Sequence, residues 1–125
     1  MKSTIIIAII FGLVTSMTLT FIEANHTVWI QNKARIGVFT HAAATEENQQ
    51  GHFNWNDGGF ANEGEWTHTG YSLNIPDEIN TYWLAFQIGL SLEDDKWRGP
   101  FNNDRDQCWH FHGTLENWEI FECSP

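Results

Sequence analysis

The chain has 125 residues and sets 6 Lys+Arg against 16 Asp+Glu, for a formal charge of −10. That length bounds it to one domain, and that charge argues against a nucleic-acid binder, which needs a basic face, and against electrostatic docking on anionic lipid. Hydrophobic residues make up 42% of the chain, too many for a disordered acidic sequence, and 7 Trp with 9 Phe require a structural explanation.

Lys2 supplies a short positive segment, and Ile5 to Val14 is an apolar run broken only by Gly12. Thr15 to Glu23 is more polar and ends at Ala24. This is the layout of a secretory signal peptide. Ala24 suits the position before a cut, whereas Ile22 is large for the position two residues earlier; Val14 and Ser16 offer another cut. A single membrane anchor is the competing reading, but Thr and Ser dilute the apolar span. The expected organisation is therefore a signal peptide over residues 1–24 and a single β-sandwich domain over 25–125, with no integral membrane segment in the mature chain.

From residue 25 onward no long stretch has helical periodicity. Short runs with period-two alternation recur instead, separated by Gly, Asn, Asp and Pro. In His26 to Gln31, Val28 and Ile30 alternate against Thr27, Trp29 and Gln31. Arg35 to Thr40 reads as a strand with Ile36 and Val38 on one face. His41 to Gln50 is polar apart from three alanines and reads as a loop or one helical turn, and Gly51 to Trp55 alternates again. Asn56-Asp57-Gly58-Gly59 and Asn62-Glu63-Gly64 are turn chemistry. Trp66 to Ile75 predicts a strand stopped by Pro76-Asp77. Thr81 to Leu90 predicts a central strand: Tyr82, Leu84, Phe86, Ile88 and Leu90 share one face, and the opposite face is also largely apolar. Lys96 to Phe101, Gln107 to Gly113 and Trp118 to Cys123 complete the set. About seven or eight short strands at regular spacing predict an all-β fold, an antiparallel β-sandwich.

Export permits disulfides, and Cys108 with Cys123 is an even, isolated pair. A bridge would close a loop of about 15 residues, worth on the order of 3 kcal/mol. Metal ligation is the rival, but two cysteines cannot fill a tetrahedral zinc shell. Asn25-His26-Thr27 is a glycosylation sequon at Asn25. His110 and His112 share a strand face and could ligate a metal with a third group such as His52, His68 or a carboxylate. The plainer reading is two outward polar residues, so no metal and no cofactor are expected. Asn102 to Asp106 is oxygen-rich but lacks the EF-hand pattern. There is no G-x-S-x-G elbow and no HExxH, so an enzyme is not expected.

Cys108-Trp109-His110-Phe111-His112-Gly113-Thr114-Leu115, then Trp118-Glu119 and Cys123, follow Thr27 to Asn32 and Ser72 to Pro76. In this order they resemble a family of small secreted animal proteins named for up-regulation in long-lived nematode insulin-receptor mutants. Those end in Cys, an aromatic, a short spacer, Gly-Thr-Thr-Leu, Trp and a final Cys. Here Leu115 follows Thr114 directly, so one Thr of that pattern is missing. The resemblance implies a secreted β-rich fold with a terminal disulfide and no catalytic residues to carry over.

Trp29, Trp83, Trp109, Phe86 and Phe111 sit in strand patterns and read as core, whereas Trp55, Phe60, Trp66 and Trp97 border turns. Aromatics on turns can form a binding surface, since a Trp ring stacks on sugars or lies at a lipid interface. The candidate ligand-binding residues are Trp55, Trp66, Asp57 and Trp97. The leading expectation is a secreted, non-enzymatic binding protein, a toxin or defence effector, whose partner is an extracellular protein, glycan or lipid and not a nucleic acid. The alternative is a membrane-active, pore-forming protein, similar in its acidic, Trp-rich composition to the aegerolysins.

Overall fold

The computed structural model describes residues 25–124; the expected signal peptide lies outside the described residues. Among the described residues, eight strands form two four-stranded sheets. They are β1 (His26–Ala34), β2 (Thr40–Thr45), β3 (Ala61–Glu65), β4 (Tyr71–Ile75), β5 (Thr81–Ile88), β6 (Lys96–Asn102), β7 (Gln107–Gly113) and β8 (Trp118–Glu122). The first sheet runs β4-β1-β7-β8 and the second β3-β2-β5-β6. The expected all-β sandwich is thus present. One pair is parallel: β1 runs beside β7, with Val28 opposite Gln107 and Ala34 opposite Gly113. The long excursion through the other sheet between these strands is what makes a parallel pairing possible.

The inner faces supply the core. Val28, Ile30, Leu73, Ile75, Phe111, Trp118 and Ile120 come from the first sheet, and Ala42, Ala44, Tyr82, Leu84, Phe86 and Ile88 from the second. Two hydroxyls stitch the sheets together through this interior. Gln107 Nε2 donates to Tyr82 Oη at 2.5 Å while its Oε1 accepts from Trp109 Nε1 at 2.9 Å, so the buried amide is satisfied at both ends. Thr40 Oγ1 and Tyr71 Oη share a hydrogen bond at 3.0 Å. Burial pushes the Tyr71 hydroxyl above its ordinary pKa, and burial does the same to Tyr82. The Cys108–Cys123 disulfide closes the open end of the β7–β8 hairpin, 15 residues apart, beside a 2.9 Å bond from Cys123 N to Cys108 O.

Several segments differ from their sequence-based expectation. Residues 35–39 are a turn rather than a strand, so Ile36 is exposed while Val38 remains buried. His41 to Thr45, expected as loop or helical turn, is strand β2. Its alanines are fully buried because Ala42 and Ala44 face the core and Ala43 is covered from outside. The cover is the 46–60 crossing, which lays Phe53 and Trp55 over the outer face of the second sheet and forms no strand of its own at Gly51 to Trp55. Asn62-Glu63-Gly64, expected as turn, is the middle of edge strand β3, and the chain turns at 66–70 instead. An edge strand pairs on one side only and needs no apolar alternation; its carboxylates also discourage pairing with another chain. Gly64 is required there because the Phe39 ring lies 2.5 Å from where a Cβ would stand. Strand β5 stops at Ile88, so Leu90 leaves the core face assigned to it and turns outward at φ 67°. Trp29, read as core, is 46% exposed: with Val28 and Ile30 inward, strand alternation forces its ring outward.

Candidate functional site

The strand directions send four connections to one end of the sandwich: 35–39, 66–70, 89–95 and 114–117. Backbone and side-chain contacts tie them together. Gly89 N donates to Phe39 O at 2.9 Å, Arg35 N to Gly113 O at 2.9 Å, and Ser91 Oγ to Leu115 O at 2.8 Å. The Phe39 and Trp66 rings lie 5.1 Å apart. The 89–95 loop is fixed further by Trp118, whose Nε1 donates to Ser91 Oγ at 3.1 Å and whose ring lies under Lys96 Nζ at 4.7 Å.

At this end four large apolar side chains face solvent. Ile36 is 83% exposed, Trp66 61%, Leu90 90% and Leu92 97%. The other two exposed large apolar residues among those described, Trp29 and Phe121, lie on the outer face of the first sheet. The local sequence explains the tip. Gly89 and Ser91 make a tight turn, with Ser91 N donating to Ile88 O at 3.1 Å, and the turn leaves Leu90 and Leu92 nothing to pack against. Leu90 holds a left-handed backbone conformation that a side chain disfavours.

Behind the tip, a row of rings crosses the outer face of the second sheet. From Trp66 it continues through Phe39 to His41 at 5.6 Å, Trp55 at 4.7 Å, Phe53 at 4.8 Å and Trp97 at 5.5 Å. Exposure falls along it, from the open Trp66 ring to the buried Trp97. Trp55 is half-buried, and its Nε1 donates to Asp95 Oδ2 at 2.7 Å. His41 hydrogen-bonds Asn62, and Asn62 Nδ2 reaches back to Gly58 O at 3.0 Å. Asp57 is exposed and accepts from Asn54 Nδ2 at 2.8 Å, within a turn closed by Gly58 N to Asn54 O at 2.7 Å. Gly58 cannot be larger: a Cβ there would stand 2.4 Å from Asn54 O and 2.6 Å from the Phe53 ring.

Trp55, Trp66 and Trp97 thus share one aromatic row, while Asp57 belongs to a turn beside it; Trp66 stands exposed at the loop end, and Trp55 reaches that end through its bond to Asp95. A groove of about 500 Å³ separates the crossing from the 89–95 loop, lined by Gln50 and Phe53 on one side and by Leu90, Leu92, Glu93 and Asp94 on the other. The exposed Leu90-Ser91-Leu92 and Ile36 were not singled out from sequence. The available signal was two leucines beside Gly89 and Ser91 directly before Glu93-Asp94-Asp95, and it was masked because Leu90 continues the alternation of Tyr82, Leu84, Phe86 and Ile88.

The His110 and His112 rings stand 4.5 Å apart on the outer face of the first sheet, beside Phe121. Burial, helped by the charges of His112 and Lys33, holds His110 below the ordinary imidazole value. Among the described residues, no three His, Cys, Asp or Glu side chains converge to hold a metal. His68 instead hydrogen-bonds the Ala34 carbonyl, and Glu65 accepts from the Thr67 and Thr69 hydroxyls. The Asn102 to Asp106 loop is a clamp: Asn103 Nδ2 donates to Pro76 O and Ile79 O at 2.9 Å each, and Asp106 Oδ1 accepts from Thr27 N at 2.9 Å. Asn25 Oδ1 accepts from Asp77 N at 3.1 Å.

No protein-family model and no curated protein matches the chain. Solved structures do. Wild-type pneumolysin matches over 86% of this chain and 24% of its own, at 10% identity and a TM-score of 0.50. A non-hemolytic pneumolysin from Streptococcus pneumoniae matches to the same extent, and listeriolysin O matches over 82% and 23% at 14% identity and a TM-score of 0.46. The chain spans about a quarter of the length of these structures. At such identity the likeness is one of fold: this eight-stranded sandwich is similar to a portion of pneumolysin.

Proposed function

We propose that this is a secreted, non-enzymatic protein that docks on lipid surfaces through the loop end of its sandwich, a toxin or defence effector of the membrane-active kind. The observation that carries the reading is the gathering of Ile36, Trp66, Leu90 and Leu92 at one end, each largely exposed. Exposed apolar groups that cluster mark an interaction surface, and a Trp beside them suits a lipid interface. Burying such a side chain yields about 1.5–3 kcal/mol, so four give on the order of 6–12 kcal/mol. Immobilising the protein costs a similar amount, about 4–15 kcal/mol. Docking by this end is therefore reversible and sensitive to the loss of one side chain. The fold likeness to pneumolysin agrees with this reading, since pneumolysin forms a membrane pore complex. The disulfide and the resemblance of the C-terminal third to small secreted animal proteins support export.

Co-sedimentation with vesicles of a whole-membrane lipid extract tests the proposal. The protein should pellet with the vesicles, and Leu90→Ser with Leu92→Ser should stay in the supernatant while retaining its fold. A protein that ignores the vesicles, or a double variant that binds as well as the parent, refutes it. Dye release from the same vesicles separates pore formation from docking alone.

A further inference from the structure

We propose that the surface this end meets is a zwitterionic, choline-type lipid layer and not an anionic one; the inference rests on the docking reading above and names its partner. It stands on how charge is arranged around the apolar tips. Within the four loops of this end the only cation among the described residues is Arg35, next to Ile36, while Glu93, Asp94, Asp95 and Glu116 are carboxylates. Lys96, the nearest other cation on that side, is occupied by Glu93 Oε1 at 3.4 Å and by the Trp118 ring. Lys33, exposed at the end of β1 opposite His112, borders the same groove as Ile36 and His68, so the positive charge of this end is confined to the Ile36 corner while the carboxylates flank Leu90 and Leu92.

Geometry turns this asymmetry into selectivity. Leu90 and Leu92 precede Asp94 on one loop, and Glu116 lies on the neighbouring loop tied to it, so immersing the leucines brings these two carboxylates level with the headgroups, while Glu93 is compensated by Lys96. In a phosphatidylcholine layer the outermost charge is a quaternary ammonium, which attracts carboxylates, and the phosphate beneath it suits Arg35. Phe53 lines the far side of the groove, an aromatic wall toward which a quaternary ammonium is drawn. In a phosphatidylserine-rich layer the same carboxylates meet a negative surface potential, which opposes each of them. The whole molecule adds to this repulsion through its charge of −10.

The test is a titration of the protein with vesicles of phosphatidylcholine alone and with about one-third phosphatidylserine, at low and high salt. Binding should be tightest on phosphatidylcholine and about tenfold or more weaker with phosphatidylserine at low salt. The gap should close near 1 M salt, where the screening length is about 3 Å. Asp94→Lys with Glu116→Lys should reverse the preference. Equal or tighter binding to the phosphatidylserine vesicles at low salt overturns this inference and leaves docking intact. Failure to bind any vesicle, the lipid extract included, overturns the docking reading and this inference with it.

Discussion

Trp55 and Asp95 join two segments 40 residues apart: the indole N–H of the 46–60 crossing donates to the carboxylate of the loop that presents Leu90 and Leu92, at 2.7 Å. The crossing therefore covers the outer face of the second sheet and also braces the exposed tip. A hydrogen bond to a charged acceptor contributes about 1.5–3 kcal/mol. Partial exposure of Trp55 brings the expectation to the lower end. Asp95→Ala should lower stability by about 1–2 kcal/mol in urea unfolding and shift tryptophan emission to the red as the crossing loosens. An unchanged midpoint and spectrum would show that the brace carries no energy.

The row of rings predicts a split between its two ends. Trp55→Ala removes a half-buried ring packed on His41 and Phe53, and should cost about 2–3 kcal/mol, somewhat under the 3–5 kcal/mol of a core aromatic. Trp66→Ala, at the open end, should cost less than about 1 kcal/mol yet weaken vesicle binding roughly tenfold. Denaturation curves and vesicle titrations of the two variants check this; loss of stability in both without loss of binding would mark the row as packing only.

Leu90→Gly is expected to move stability and binding apart. Glycine relieves the left-handed strain, worth about 1–2 kcal/mol, and returns part of it in unfolded-chain entropy. Thermal stability should therefore hold or rise slightly, whereas vesicle binding falls with the lost side chain. A variant that unfolds earlier, or binds as before, contradicts the account of this loop.

The strands with a core face on one side and a partner on the other were readable. Gln107 to Gly113 alternates cleanly and appears as expected, and the Thr81 to Ile88 run, apolar on both faces, is central as its pattern implied. Edge strand β3 was hidden because one-sided pairing tolerates Asn, Glu and Gly. Strand β2 was hidden because alanine says nothing about exposure until a second layer covers it, and that layer is made by residues distant in sequence. The same blindness affected the site. Trp66 and Trp55 both border turns, and only the three-dimensional crossing separates the packed ring from the exposed one. Ile36 and Leu90 were placed in strands by apolar character, but turns at 35–39 and 89–95 put them in solvent.

His110 makes stability depend on acidity. Its folded pKa lies below the ordinary 6.5, chiefly through burial and then through the charges of His112 and Lys33. As pH falls below about 6.5 the unfolded chain takes up this proton before the folded one does, so folding stability declines from there down through the folded pKa. His110→Gln should flatten that decline below about pH 6.5 while leaving the rest of the profile in place. Parallel profiles for the two proteins would remove His110 as the cause.

The most direct measurement places a fluorescent reporter at each end of the sandwich. With Cys108 and Cys123 bridged, Leu92→Cys and Glu78→Cys each introduce one free thiol among the described residues for an environment-sensitive dye. On adding vesicles of the whole-membrane lipid extract, the dye at position 92 should shift to the blue and be quenched by a lipid-borne quencher, while the dye at position 78, in the loop between β4 and β5 at the opposite end, should not respond. A silent position 92, or an equal response from position 78, would contradict docking through the loop end.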